Sequence, residues 1–131
     1  MSRFLGVDIG TKRLGFALGD GFARVAVPLG VEELVGRDPA EVLVQKIKED
    51  AYTEVVLGVP YGSNGELTPA AERIEQLARR VEAQAGVPVH CVDEHFTTQA
   101  AAALGAEAGR SLHDDALAAM VLLQEYLASL P

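Results

Sequence analysis

Phe4-Leu5-Gly6-Val7-Asp8-Ile9-Gly10-Thr11-Lys12-Arg13-Leu14-Gly15 decides the fold. The apolar run at 4–7 is a buried strand that ends on a carboxylate. A glycine-framed turn at 9–12 then leads into a second strand. Glycine tolerates positive φ and close backbone approach, so phosphate oxygens or a metal could come near Asp8. The plain alternative is an Asp that caps a hairpin turn, since Asp and Gly are common turn residues.

Outward from this hairpin, strand-like runs cover residues 4–8, 15–18, 25–29, 54–59 and 87–92. Short turns separate the first three, as in an antiparallel meander. Asp38-Pro39 and Thr68-Pro69 each pair an N-cap residue with proline at the first helical position. Val42, Leu43 and Ile47 recur at helical spacing after the first pair. Ile74, Leu77, Ala78, Val81 and Ala85 do so after the second, which Gly86 and Pro88 end. A short helix is expected after Thr97-Thr98, and a last one over about 114–128. The order βββ-α-β-α-β-α predicts an α/β fold, with a mixed five-stranded sheet and helices on both faces. Three strands form the meander, and two more run parallel to the first, buried on both sides. Sites in such sheets gather at the carboxyl ends of the parallel strands, where Asp8, Pro60 and Asp93-Glu94 fall.

With 131 residues the chain is expected to be one domain, 1–131, able to fold without staples. No apolar run reaches the ~18 residues of a membrane span, Met1-Ser2-Arg3 leads straight into a strand, and Cys91 is the single cysteine. A cytoplasmic protein is expected, with Cys91 as a small buried apolar residue. Eleven Lys and Arg against 19 Asp and Glu leave a net charge of −8, which argues against coating nucleic acid by bulk charge. Aromatic residues are 5% and Trp is absent, so contact with nucleic acid should go to backbone and shape.

Asp8, Glu94 and Asp114 form the candidate catalytic and metal-binding set. Asp8 ends the first strand, Asp93-Glu94 the last, and Asp114-Asp115 opens the final helix. Hard cations such as Mg²⁺ or Mn²⁺ take oxygen ligands of this kind. Two such ions would activate a water and stabilise the leaving oxygen in phosphodiester cleavage. Without them, clustered carboxylates repel and raise one another's pKa values. Strand alternation lets only one of Asp93 and Glu94 face the site, and Glu94 is the choice. Asp114 or Asp115 could instead be simple N-caps. His90 reads as a satisfied core or edge histidine, and His113 as solvated.

Gly58 to Gly65 is glycine-rich and could hold phosphate through backbone N–H groups or be a plain turn; it lacks a Walker ending. Lys12 and Arg13, beside Asp8, are expected to touch substrate phosphates, while Arg79 and Arg80 read as a solvated helix face.

Four motifs together resemble the YqgF/RuvX family of Holliday-junction-resolvase-like proteins in the ribonuclease H superfamily. They are the stretch from Asp8 to Gly15, then Gly58-Val59-Pro60 with Gly65, then Asp93-Glu94 with Thr97-Thr98 and Ala101, then Asp114 with Ala116 and the helix to Tyr126. The resemblance implies a divalent-metal-dependent nuclease with Asp8, Glu94 and Asp114 as its triad, and Thr11, Lys12, Arg13 and His95 holding substrate. It implies maturation of the 5′ end of pre-16S rRNA, Holliday junction resolution, or both. The partner would be structured or precursor rRNA, or branched DNA, met by a monomer or homodimer away from membranes. Two other functions fit the same residues: a non-catalytic nucleic-acid or ribosome-assembly module, and an actin-like ATP-binding half-domain. The family usually carries Arg directly after Asp-Glu, where this chain has His95. It also tends to have lysines before the last acidic residue, where this chain has Gly109-Arg110-Ser111-Leu112-His113. A histidine that is partly protonated near neutral pH makes phosphate binding pH-dependent.

Overall fold

The computed structural model describes residues 2–94 and 114–131, and of Asp114 only the backbone. The expected helix after Thr97-Thr98 lies outside the described residues, as do His95 and His113. Five strands form one sheet: β1 (Arg3–Ile9), β2 (Arg13–Asp20), β3 (Val25–Glu33), β4 (Glu54–Val59) and β5 (Val89–Asp93). The helices are α1 (Pro39–Glu49), α2 (Pro69–Ala85) and α3 (Asp114–Ser129). Strand order is β3-β2-β1-β4-β5. β1 pairs antiparallel with β2 and β2 with β3, whereas β1–β4 and β4–β5 are parallel. This is the expected α/β sandwich.

Both helix starts follow from local chemistry. The Asp38 side chain accepts from Ala40 N–H at 3.1 Å ahead of Pro39, and Thr68 Oγ1 accepts from Ala71 N–H at 3.1 Å ahead of Pro69. Gly86 ends α2 in the left-handed region, φ 72°.

Strand alternation divides the core in two. Leu5, Val7, Leu14, Phe16, Val55, Leu57 and Val89 face α1 and α2. Phe4, Ala17, Val56, Leu122, Leu123 and Leu127 pack around α3 on the other side. α3 lies close to the sheet because β1 and β2 present glycines to it. An ideal Cβ at Gly6 would stand 2.8 Å from Leu123 Cβ, and one at Gly15 would stand 2.1 Å from the Asp115 carbonyl oxygen.

β3 is an edge strand, and α3 reaches over it. Gln124 Oε1 accepts from Ala26 N–H at 3.0 Å, and Gln124 Nε2 donates to the Arg24 carbonyl at 2.8 Å. Its amide thereby mimics the peptide of a neighbouring strand. Pro28 follows along the edge and has no N–H to offer. Gln124→Leu should cost about 1 kcal/mol by stranding these two groups. It should also bring concentration-dependent association through the uncovered edge. Urea unfolding and light scattering check this; unchanged values in both would show that the amide contributes nothing.

Candidate functional site

The even positions of β1 face α3, so Asp8 stands on that side at the strand's carboxyl end. Across the hairpin its partner is Gly15. The turn between them is closed by Gly10 N–H donating to the Arg13 carbonyl at 2.8 Å. Gly10 is not among the residues at positive φ. What excludes a side chain there is space: an ideal Cβ would lie 3.0 Å from Arg13 O.

On the other flank β4 brings up Gly58, which follows Leu57, the residue registered with Val7. Gly58 also faces α3, where an ideal Cβ would meet Leu122 Cδ1 at 2.6 Å and Glu94 Cβ at 3.4 Å. Leu122 fills the space a side chain at Gly58 would take, and Glu94 stands beside it. Glu94 N–H donates to the Val59 carbonyl at 3.1 Å, continuing the β4–β5 ladder one residue past Asp93. Alternation therefore puts Glu94 on the face of Asp8 and Asp93 on the opposite one.

The third element is the first turn of α3, seated on Gly15. Arg13 Nε donates to Asp115 Oδ2 at 3.0 Å, pinning the helix start to β2. Asp114 opens α3 beside this pair, and its side chain lies outside the described residues.

Electrostatics reflect this crowding. Burial pushes the Asp8 carboxyl up to about 6, with Glu94 and then Asp115 adding like-charge repulsion. A carboxylate that is costly to ionise, next to a second one, is a donor set suited to a hard divalent cation. Among the described residues no group of three His, Cys, Asp or Glu side chains already forms a cation cage. Asp8 and Glu94, two of the three residues expected as ligands, stand on the same face of the sheet.

The other expectations divide, some met and some not. Several backbone N–H groups of the glycine-rich loop are bonded within it: Tyr61 N–H donates to Val59 O at 2.9 Å and Gly62 N–H to Glu66 O at 2.8 Å. Thr68 Oγ1 donates to Pro60 O at 3.1 Å. The loop is a self-bonded turn at a helix start. Arg79 is more than a solvated cation, since Nη2 donates to the Val89 carbonyl at 2.9 Å and ties α2 to β5. His90 Nε2 lies 2.9 Å from Glu54 Oε1, and its ring stacks on Tyr126, as a structural histidine should. Cys91 is half-buried rather than fully enclosed. Thr11 and Lys12 are exposed at the hairpin tip next to Asp8.

Sequence reasoning missed the Arg13–Asp115 pair and the spacing role of Gly58. The signal for Gly58 was present: a glycine at the carboxyl end of a strand buried on both faces argues for close approach by a neighbour.

The family model described as "RuvX: Holliday junction resolvase" matches residues 2–129. A "Putative pre-16S rRNA nuclease" of Moorella thermoacetica is 36% identical over 133 residues, covering 95% of this chain and 94% of the relative. A protein of the same description from Bacillus subtilis is 35% identical over 136 residues, covering 98% and 99%. Among solved structures, Thermus thermophilus RuvC in complex with a Holliday junction substrate superposes with a TM-score of 0.58 at 18% identity, covering 98% of this chain and 95% of RuvC. That likeness is one of fold, ribonuclease H-like.

Proposed function

The chain belongs to the RuvX family, and from that premise we propose that it acts as a divalent-metal-dependent nuclease hydrolysing phosphodiester bonds. In this reading residues 1–131 work as one nuclease domain in the cytoplasm. The substrate is precursor 16S rRNA, as in the names of the relatives, cut at its 5′ end as the family resemblance implies, with branched DNA as the second substrate class. Asp8, Glu94 and Asp114 hold Mg²⁺ or Mn²⁺. When bound, such ions supply a water nucleophile active at neutral pH and charge stabilisation for the leaving oxygen.

The chain's own residues do the rest. Asp8 and Glu94 converge across Gly58, with the burial of Asp8 favouring an occupied site over two bare carboxylates. This convergence is the observation that carries the reading. Asp114, at the first residue of α3, completes the set. Arg13 holds Asp115, which leaves its neighbour Asp114 to the metal. Thr11 and Lys12 at the hairpin tip, with Arg13 and His95, hold phosphates of the substrate. Their number is small for a protein of net charge −8, so affinity rests on local cations rather than on bulk charge.

The test is incubation of the protein with a 5′-extended rRNA hairpin and a four-way DNA junction, in Mn²⁺, Mg²⁺ or EDTA. Metal-dependent cleavage of either supports the reading. No product from any substrate would instead assign the fold to a binding module.

A further inference from the structure

One residue beyond Asp8, on the opposite face of the sheet, a groove of about 420 Å³ opens between the tip of β1 and the helices. Ile9, Pro39, Ile74 and Leu77 give it an apolar lining, and Arg73 and Arg80 stand on its walls. Arg80 is engaged by Asp38. Arg73 is exposed and has no ion pair or side-chain hydrogen bond among the described residues. It also has no acidic neighbour three or four positions away on its helix, where Gln76, Leu77, Ala70 and Pro69 stand. In so acidic a chain, an unneutralised guanidinium beside an apolar hollow is unusual. The hairpin tip that follows Asp8 and Ile9 carries the exposed Lys12.

We propose that this groove is the subsite for the single-stranded segment next to the scissile phosphate, with Arg73 holding a backbone phosphate and the apolar floor receiving a base. The assignment rests on the nuclease reading and extends it to how a single-stranded flank is chosen. Two features favour a nucleic-acid strand as occupant. An arginine fork matches a phosphate bidentately, and an aliphatic floor accepts any base face without reading sequence. The groove also lies near the carboxylate: Ile9 on its lining follows Asp8 directly, and Lys12 is exposed at the same hairpin tip.

Fluorescence anisotropy in EDTA separates binding from cleavage. Two RNAs are used: a hairpin with a single-stranded 5′ extension, and the same hairpin with blunt ends. Wild-type protein should bind the extended RNA more tightly. Arg73→Ala should weaken that binding about tenfold. It should also lower the salt slope by about 0.7, the value for one phosphate on a single strand. Blunt-hairpin affinity should not move, and Arg73→Lys should restore part of the loss. Equal affinity of wild type and Arg73→Ala for the extended RNA, or equal weakening on both RNAs, would overturn the subsite. A wild type that binds neither RNA and cuts nothing would bring down the nuclease reading itself.

Discussion

Asp8→Asn is expected to yield a protein that unfolds at a higher temperature than wild type and no longer cuts. Both effects have one origin. In the metal-free protein the Asp8 carboxyl titrates near 6 against a reference of 3.8, chiefly through burial. Between those values the folded state keeps a proton that the unfolded chain has released. Stability is therefore fully present below about pH 4 and declines as pH rises towards 6. Roughly two pKa units correspond to an upper bound of about 3 kcal/mol, and partial exposure brings the working figure to about 1–3 kcal/mol.

Asn keeps the shape and removes the charge, so at neutral pH it should recover this amount, about 5–10 °C in Tm. The decline between pH 4 and 6 should flatten in the variant. Activity should fall at least 100-fold, roughly, as expected for loss of a metal ligand. Calorimetry across pH in EDTA, paired with a cleavage assay in Mn²⁺, measures both. A variant less stable than wild type at pH 7 would mean that the carboxylate is paired rather than strained.

Gly15→Ala should be the most damaging single methyl in the molecule. Its Cβ would fall 2.1 Å from the Asp115 carbonyl oxygen and 2.9 Å from Ala116 N. Both are backbone atoms of α3, so no rotamer change relieves the clash, and the helix start must lift away from β2. A cost of about 3 kcal/mol or more is expected. Mn²⁺ affinity should fall as well, because the start of α3 carries Asp114. Gly19→Ala is the control. Its Cβ would meet only side-chain ends, Leu123 Cδ2 at 2.8 Å and Leu127 Cδ1 at 3.0 Å, which can turn aside. Equal losses in urea unfolding for the two variants would refute the role assigned to the backbone contact.

Most of the scaffold was legible in the residues, for local reasons. Asp38-Pro39 and Thr68-Pro69 encode their own helix starts within three residues, and both helices begin there. After Glu54 the run to Val59 is apolar without interruption because β4 is an interior strand, and its observed bounds agree. β3 runs to Glu33, four residues beyond its expected end, because a register shift opposite Phe16/Ala17 and Gly30 at φ 147° break the alternation. Within the site, alternation said only that one of Asp93 and Glu94 could face Asp8, and the one chosen, Glu94, lies beside Gly58 on that face. What could not be read are pairings between residues about a hundred positions apart: Arg13 with Asp115, Ala26 with Gln124. Periodicity and capping report on neighbours along the chain. They carry no information about which arginine meets which aspartate once α3 folds back on the sheet.

Val25 and Val27 remain half exposed on β3, a composition that elsewhere invites stacking of one molecule on the next. The amide of Gln124 already sits where an incoming peptide would dock, and Pro28 denies the following rung. Crowded copies of this molecule should thus stay dispersed instead of zipping into filaments, and any symmetrical pair that makes twin incisions must join elsewhere than along this margin.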